Sequence, residues 1–169
     1  QFVYDSFLEN GFDKDKLLLI PFGVDTERFR PARKEDSVFR LLFVGRLCLR
    51  KGIQYLLEAW SKLNLKNAEL LLVGSLDKNL RPLIESYREK KNVALGGFLR
   101  NPVKVFNSAS AFVCPSIEEG SALVTYEAMA CGLPVIATVN SGSLVRDGQE
   151  GFLIPIRDVE ALRERIAFL

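Results

Sequence analysis

The chain has 169 residues, 48% of them hydrophobic and 26% charged, which is the balance of one globular domain and excludes a disordered chain. Its 23 Lys+Arg against 21 Asp+Glu leave a net charge of +2, far from the excess of a nucleic-acid binder, so no nucleic-acid partner is expected. No apolar run approaches the roughly 20 residues that cross a bilayer, so no transmembrane segment is expected.

The chain opens on Gln1 without an initiator Met or a signal pattern and closes at Leu169 inside a helical pattern. We therefore expect a piece of a longer protein. Apolar runs bounded by Gly or Pro predict strands at Leu17–Ile20, Phe39–Val44, Glu69–Val73, Asn92–Leu95, Ala111–Cys114, Val135–Ala137 and Phe152–Ile154. Most are continuous rather than alternating, as in strands covered on both faces. Between the first two, Arg28–Asp36 is charged, contains Pro31 and reads as a solvated connection.

Helical periods fill the remaining gaps. Over Lys51–Leu63 the residues Ile53, Leu56, Leu57, Trp60 and Leu63 form one apolar stripe, which makes Trp60 a core residue. Further helices are predicted near Asn79–Lys90, Val103–Ser108, Ala122–Ala130 and Val159–Leu169. Strands alternating with helices give an α/β fold built of βαβ units, with a mostly parallel sheet and right-handed crossovers. Cys48, Cys114 and Cys131 are widely spaced, and the chain has no histidine. They read as reduced, buried thiols of a cytosolic protein, and no His base or His-liganded metal can lie here.

Ligands of such sheets bind beyond the carboxyl ends of the strands, so the loops there carry the functional signal. The first, Gly45–Gly52, puts Arg46, Arg50 and Lys51 at a helix amino terminus with no acidic residue among them. Cations are disfavoured at that end by about 0.3–1 kcal/mol each. The arrangement is explained by a bound anion, which Gly45 would let the backbone approach, or else by a plain solvated basic turn. Neither a P-loop nor a G-x-G-x-x-G occurs.

The second loop runs from Pro115 into a helix that Ser121 would cap and Gly132 and Pro134 would stop. Its helical stretch is apolar nearly all round, and Glu127 is its only charge. A buried carboxylate needs hydrogen-bonding groups, so Glu127 faces either a cleft, where ribose-like hydroxyls would donate to it, or an internal Lys or Arg. Glu119, at the mouth of the same helix, would accept from a sugar or stand exposed. Val139–Ser143 could offer backbone N–H groups, and Gly96-Gly97 could let a flat base lie close. D-x-D is absent from these loops, so basic residues and no metal would have to neutralise a diphosphate.

Taken together, LLLIPFGVDTERFRP (Leu17–Pro31), FVGRLCLRKG (Phe43–Gly52), CPSIEEGSALVTYEAMACGLPVIAT (Cys114–Thr138) and DGQEGFLIP (Asp147–Pro155) resemble the carboxyl-terminal half of a GT-B glycosyltransferase of family 4. The resemblance implies a Rossmann-like three-layer domain at 37–169, preceded by a connecting segment and first strand at 1–36. It implies that an amino-terminal acceptor domain is absent from this chain. The implied activity is transfer of a hexose-type unit from a nucleotide-diphosphate sugar to a carbohydrate or lipid-linked acceptor, with retention and no cofactor. The isolated domain would bind donor but transfer little. The parent would be cytoplasmic, or peripheral to a membrane if the acceptor is lipid-linked.

By the same resemblance, Glu119 of the E-x7-E pattern would contact donor-sugar hydroxyls and Glu127 the ribose. Arg46 and Lys51 would hold the diphosphate. Gly45 and Gly120, Ser121, Ala122 and Leu123 would complete the donor site. The chain departs from the family at Ser121-Ala122, where Phe-Gly is usual, and Ala122 would restrict φ. That departure supports an alternative, a non-catalytic nucleotide-sugar-binding or regulatory module of the same fold.

Overall fold

Apolar runs that show no alternation become strands here because both faces of their sheet are covered. The computed structural model describes residues 2–169, so the opening residue Gln1 lies outside the described residues. Six parallel strands are arranged in the order β3-β2-β1-β4-β5-β6. They are β1 (Phe39–Val44), β2 (Ala68–Val73), β3 (Val93–Gly97), β4 (Ala111–Cys114), β5 (Val135–Thr138) and β6 (Gly151–Ile154). The helices are α1 (Phe2–Glu9), α2 (Ile53–Ser61), α3 (Arg81–Lys91), α4 (Val103–Asn107), α5 (Leu123–Ala130) and α6 (Val159–Phe168).

Successive side chains leave a strand on opposite faces, and this divides the core in two. Leu41, Phe43, Val113 and Ile136 meet Ile53, Leu56, Leu57 and Trp60 of α2, Ile84 of α3 and Leu162 and Ile166 of α6. Leu42, Phe112, Val135 and Ala137 meet Phe106 of α4 and Ala128 of α5. Three layers result, an open α/β fold of the Rossmann-like, GT-B type. Trp60, 4% exposed, is core as its stripe predicts. Cys114 and Cys131 are buried and all three cysteines are free thiols; Cys48 is only partly buried.

The amino-terminal stretch departs from its sequence pattern. Leu17–Ile20 forms no strand: it pairs with none of the six strands, and an unpaired strand leaves its backbone groups unsatisfied. Leu18 and Ile20 are 82% and 73% exposed. Helix α1, too short to show a clear period, has no counterpart among the predicted elements. The charged connection is coil, as expected, but it is anchored at two points. Phe29 is buried edge-to-face on Phe106 with ring centroids 5.9 Å apart, and Ala32 N–H donates to Asn107 Oδ1 at 3.0 Å.

Candidate functional site

In the order β3-β2-β1-β4-β5-β6 the chain reverses its direction of travel across the sheet between β1 and β4. At such a point the two following loops diverge and leave a crevice at the carboxyl ends of the strands. Those loops are Gly45–Gly52 and Pro115–Ala122, the two that the sequence singles out. They meet at Gly52, whose backbone is left-handed (φ +73°) and lies so near Pro115 that a Cβ would stand 1.9 Å from the Pro115 carbonyl oxygen. Ile117 N–H donates to Arg50 C=O at 2.9 Å across the same junction.

Between β1 and α2 the chain forms a 3-10 turn, Leu49–Lys51, so Arg50 and Lys51 sit one turn before the helix rather than on it. Nor are the cations bare. Carboxylates arrive from neighbouring loops. Arg46 donates to Asp77 Oδ1 from Nη2 at 2.7 Å and from Nε at 3.2 Å, and this carboxylate holds the guanidinium above its usual pKa range. Lys51 Nζ pairs with Glu119 Oε1. Arg50 donates from Nη1 to Glu118 C=O at 2.7 Å and to Glu119 Oε1 at 3.3 Å. Ser116 Oγ adds a contact to Glu119 at 3.4 Å. With side chains 17% and 12% exposed, Lys51 and Glu119 form a largely desolvated pair that bridges the β1 and β4 loops. Beside them a cavity of about 380 Å³ is lined by Arg46, Cys48, Leu49, Arg50, Asp77 and Asn79, together with Leu80.

Ser121 is not the helix cap. Ala122 holds that position, and Ser121 Oγ lies instead 3.3 Å from Tyr126 OH and 3.5 Å from Gly142 C=O. Ala122 has φ −78°, a region any residue adopts, so its methyl group strains nothing. The loop expected to offer N–H groups does the opposite. Its Asn140 and Ser141 carbonyls accept from Glu119 N–H and Ala122 N–H, each at 3.0 Å, and so brace the β4 loop from below. The N–H groups of Gly120 and Ser121 donate to no acceptor among the described residues. A Cβ on Gly120 would meet open space. Leu123 is 45% exposed at the start of α5. At the end of β3, Gly97 also opens on free space, whereas Gly96 is packed against Val73.

Glu127 stands apart from the paired cluster. It is half-buried, and burial pushes its carboxyl pKa up, an effect partly offset by the charge of Arg28. Among the described residues its carboxylate makes no hydrogen bond or ion pair, and Arg28 acts on it only through its charge. Asp77 escapes the motifs, and only its place a few residues beyond β2 could have drawn attention to it; Ser116 lies within the Cys114–Thr138 motif, though no role for it is legible there. Among the described residues no cluster of three or more His, Cys, Asp or Glu could hold a metal ion. No helix among them is long and apolar enough to cross a membrane.

A Rossmann-like domain with cations and carboxylates gathered at its switch point defines a class, and comparison with known proteins places the chain within it. The profile described as Glycosyl transferases group 1 matches residues 38–169, so the chain belongs to that family. WcaL of Escherichia coli (strain K12), a glycosyltransferase assigned to colanic acid biosynthesis, is 32% identical over 173 residues, covering 93% of this chain and 43% of that protein. A glycosyltransferase from Rickettsia africae ESF-5 superposes with a TM-score of 0.86 at 24% identity, covering 99% of this chain and 50% of that one. The Anabaena protein HepE, in complex with UDP-glucose, superposes with a TM-score of 0.84 at 22% identity, with coverage of 98% and 50%. The chain spans less than half the length of the curated relatives it matches.

Proposed function

We propose that the chain is the donor-binding, carboxyl-terminal half of a family 4 enzyme that moves a hexose-type unit from a nucleotide-diphosphate sugar to a carbohydrate or lipid-linked acceptor, with retention. Residues 37–169 form the binding domain in this reading, and an amino-terminal domain outside this chain supplies most of the acceptor site. The observation that carries it is the Lys51–Glu119 bridge between the β1 and β4 loops, with Arg46 on the same loop as Lys51. A diphosphate laid on the β1 loop takes the place of a carboxylate opposite Lys51, and Glu119, released from part of its ion pairing, turns to the sugar hydroxyls. Arg46 and Lys51 then stabilise the charge that grows on the diphosphate as the bond to the sugar lengthens. In this reading Gly120 and Ser121, which line a cavity of about 460 Å³ with Tyr126 and Gly142, complete the donor site together with Gly45, Ala122 and Leu123. Glu127, lacking a protein partner, accepts from the ribose hydroxyls.

The site works by orientation and charge, with no residue here acting as a dedicated nucleophile or base and with basic side chains in place of a metal. The chain alone therefore binds donor and transfers little. The non-catalytic alternative rested on the Ser121-Ala122 departure, and at Ala122 the backbone is unstrained. Titration calorimetry of UDP and of GDP tests the assignment against Arg46→Ala, Lys51→Ala and Glu127→Ala. Loss of each cation should cost about 1.5–3 kcal/mol, the range for charged hydrogen bonds. Unchanged affinity in all three variants removes the site.

A further inference from the structure

Asp77 lies outside every motif, yet its side chain is spent in an unusual way. Three aspartates, Asp13, Asp77 and Asp158, stand in extended backbone just before a helical turn, where such a side chain ordinarily accepts from the backbone N–H groups that follow. Asp13 accepts from Asp15 N–H at 3.1 Å and Asp158 from Ala161 N–H at 2.9 Å. Asp77 makes no such bond. Its Oδ1 turns across to the neighbouring loop and takes both Nε and Nη2 of Arg46.

We infer that Asp77 is a positioning residue for the donor diphosphate: it holds one edge of the Arg46 guanidinium so that the opposite edge is presented to the phosphates. The inference rests on the proposed role of Arg46. A guanidinium carries five N–H donors in a fixed fork. Asp77 occupies the Nε edge and leaves the end-on fork between Nη1 and Nη2 open for an anion, the bidentate geometry that suits phosphate. Without Asp77 the Arg46 side chain, already 66% exposed, would sweep through solvent and would have to be ordered on each binding event. An exposed ion pair adds little to stability, so the consequence of this one falls on where the guanidinium points. The support beneath it is independent of the Asp77 side chain. Leu47 N–H donates to Ser75 C=O at 2.8 Å and Asp77 N–H to Leu47 C=O at 3.0 Å, which zips the β1 and β2 loops together.

The test is a double-mutant cycle in affinity, using whichever of UDP and GDP the parent chain binds and the matching monophosphate as control. Asp77→Ala should weaken the diphosphate about fivefold or more and the monophosphate less. Asp77→Asn keeps an acceptor oxygen and should fall between Asp77→Ala and the parent. In an Arg46→Ala background Asp77→Ala should change nothing further. If Arg46→Ala weakens binding while Asp77→Ala does not, or if Asp77→Ala tightens it, the positioning role is overturned and the site stands. Equal weakening of mono- and diphosphate, with a lowered thermal midpoint, would show a role in building α3 and overturn it too. If Arg46→Ala itself leaves affinity unchanged, the reading of Arg46 fails and this inference goes with it.

Discussion

The closeness of the β1 and β4 loops, on which the site depends, can be probed at Gly52. A Cβ there would stand 1.9 Å from the Pro115 carbonyl oxygen and 2.8 Å from its carbon, whereas real Cβ atoms keep at least 3.0 Å. Gly52→Ala therefore forces the two loops apart by more than an ångström, against backbone rather than a yielding side chain. Overpacking of this kind costs about 1–3 kcal/mol, and the left-handed φ of +73° adds about 1–2 kcal/mol for a residue with a Cβ. A total near 3 kcal/mol corresponds to a fall of about 10 °C in Tm for a chain of this size. Gly148→Ala separates the two contributions, since Gly148 has φ +76° but nothing within 4 Å of its would-be Cβ. It should lose only about 1 kcal/mol, near 3 °C. Thermal unfolding followed by circular dichroism gives both numbers. UDP or GDP titration should find binding lost in Gly52→Ala and kept in Gly148→Ala. If the two variants lose the same Tm, the loops are not in contact and the reasoning about the crevice is wrong.

The other predictions concern the charges. Burial raises the Glu127 pKa above its ordinary value, so the stability tied to its protonated form is present below about pH 4.5 and is lost as pH rises through the raised value. Glu127→Gln should therefore unfold at a higher temperature than the parent at pH 7, with the gap closing near pH 4, while losing nucleotide affinity; a lower Tm at pH 7 would mean that Glu127 has an internal partner. Lys51→Met strips most of the counter-charge from a carboxylate only 12% exposed, and should destabilise by about 2–3 kcal/mol in urea unfolding. Adding Glu119→Met should restore much of that loss, and simple additivity of the two changes would argue against a desolvated pair. Phe29→Ala should cost about 3 kcal/mol by emptying the site against Phe106 that anchors the connection, and a loss under 1 kcal/mol would show the strap to be loose.

The legible parts of this protein are those written in short-range pattern. The stripe of Ile53, Leu56, Leu57 and Trp60 names its own helix, and the unbroken run Phe39–Val44 names a doubly covered strand. Leu17–Ile20 carries the same apolar signal as β1 and is no strand, because pairing belongs to the sheet and not to the run. The placing of Arg46 and Lys51 on one loop, and of Glu119 and Glu127 on the next, was also local. How they are paired was not. Asp77 reaches Arg46 across 31 positions, and Glu119 reaches Arg50 across 69.

That difference changes what binding means here. Judged from the loop alone, the three cations looked like an unpaid electrostatic debt awaiting an anion. In the folded chain Asp77 and Glu119 already pair with all three, brought there because β2 and β4 are the two neighbours of β1. On the proposed function, an incoming diphosphate does not fill an empty positive site; it competes with carboxylates held in place by the fold. The two pairs are unequal in this exchange. The Arg46 guanidinium has donors enough to keep Asp77 and accept a phosphate together, whereas the buried Lys51–Glu119 pair must open. Donor binding is thereby coupled to the release of Glu119, the carboxylate proposed to meet the sugar, so the group that reads the sugar becomes free only as the diphosphate arrives.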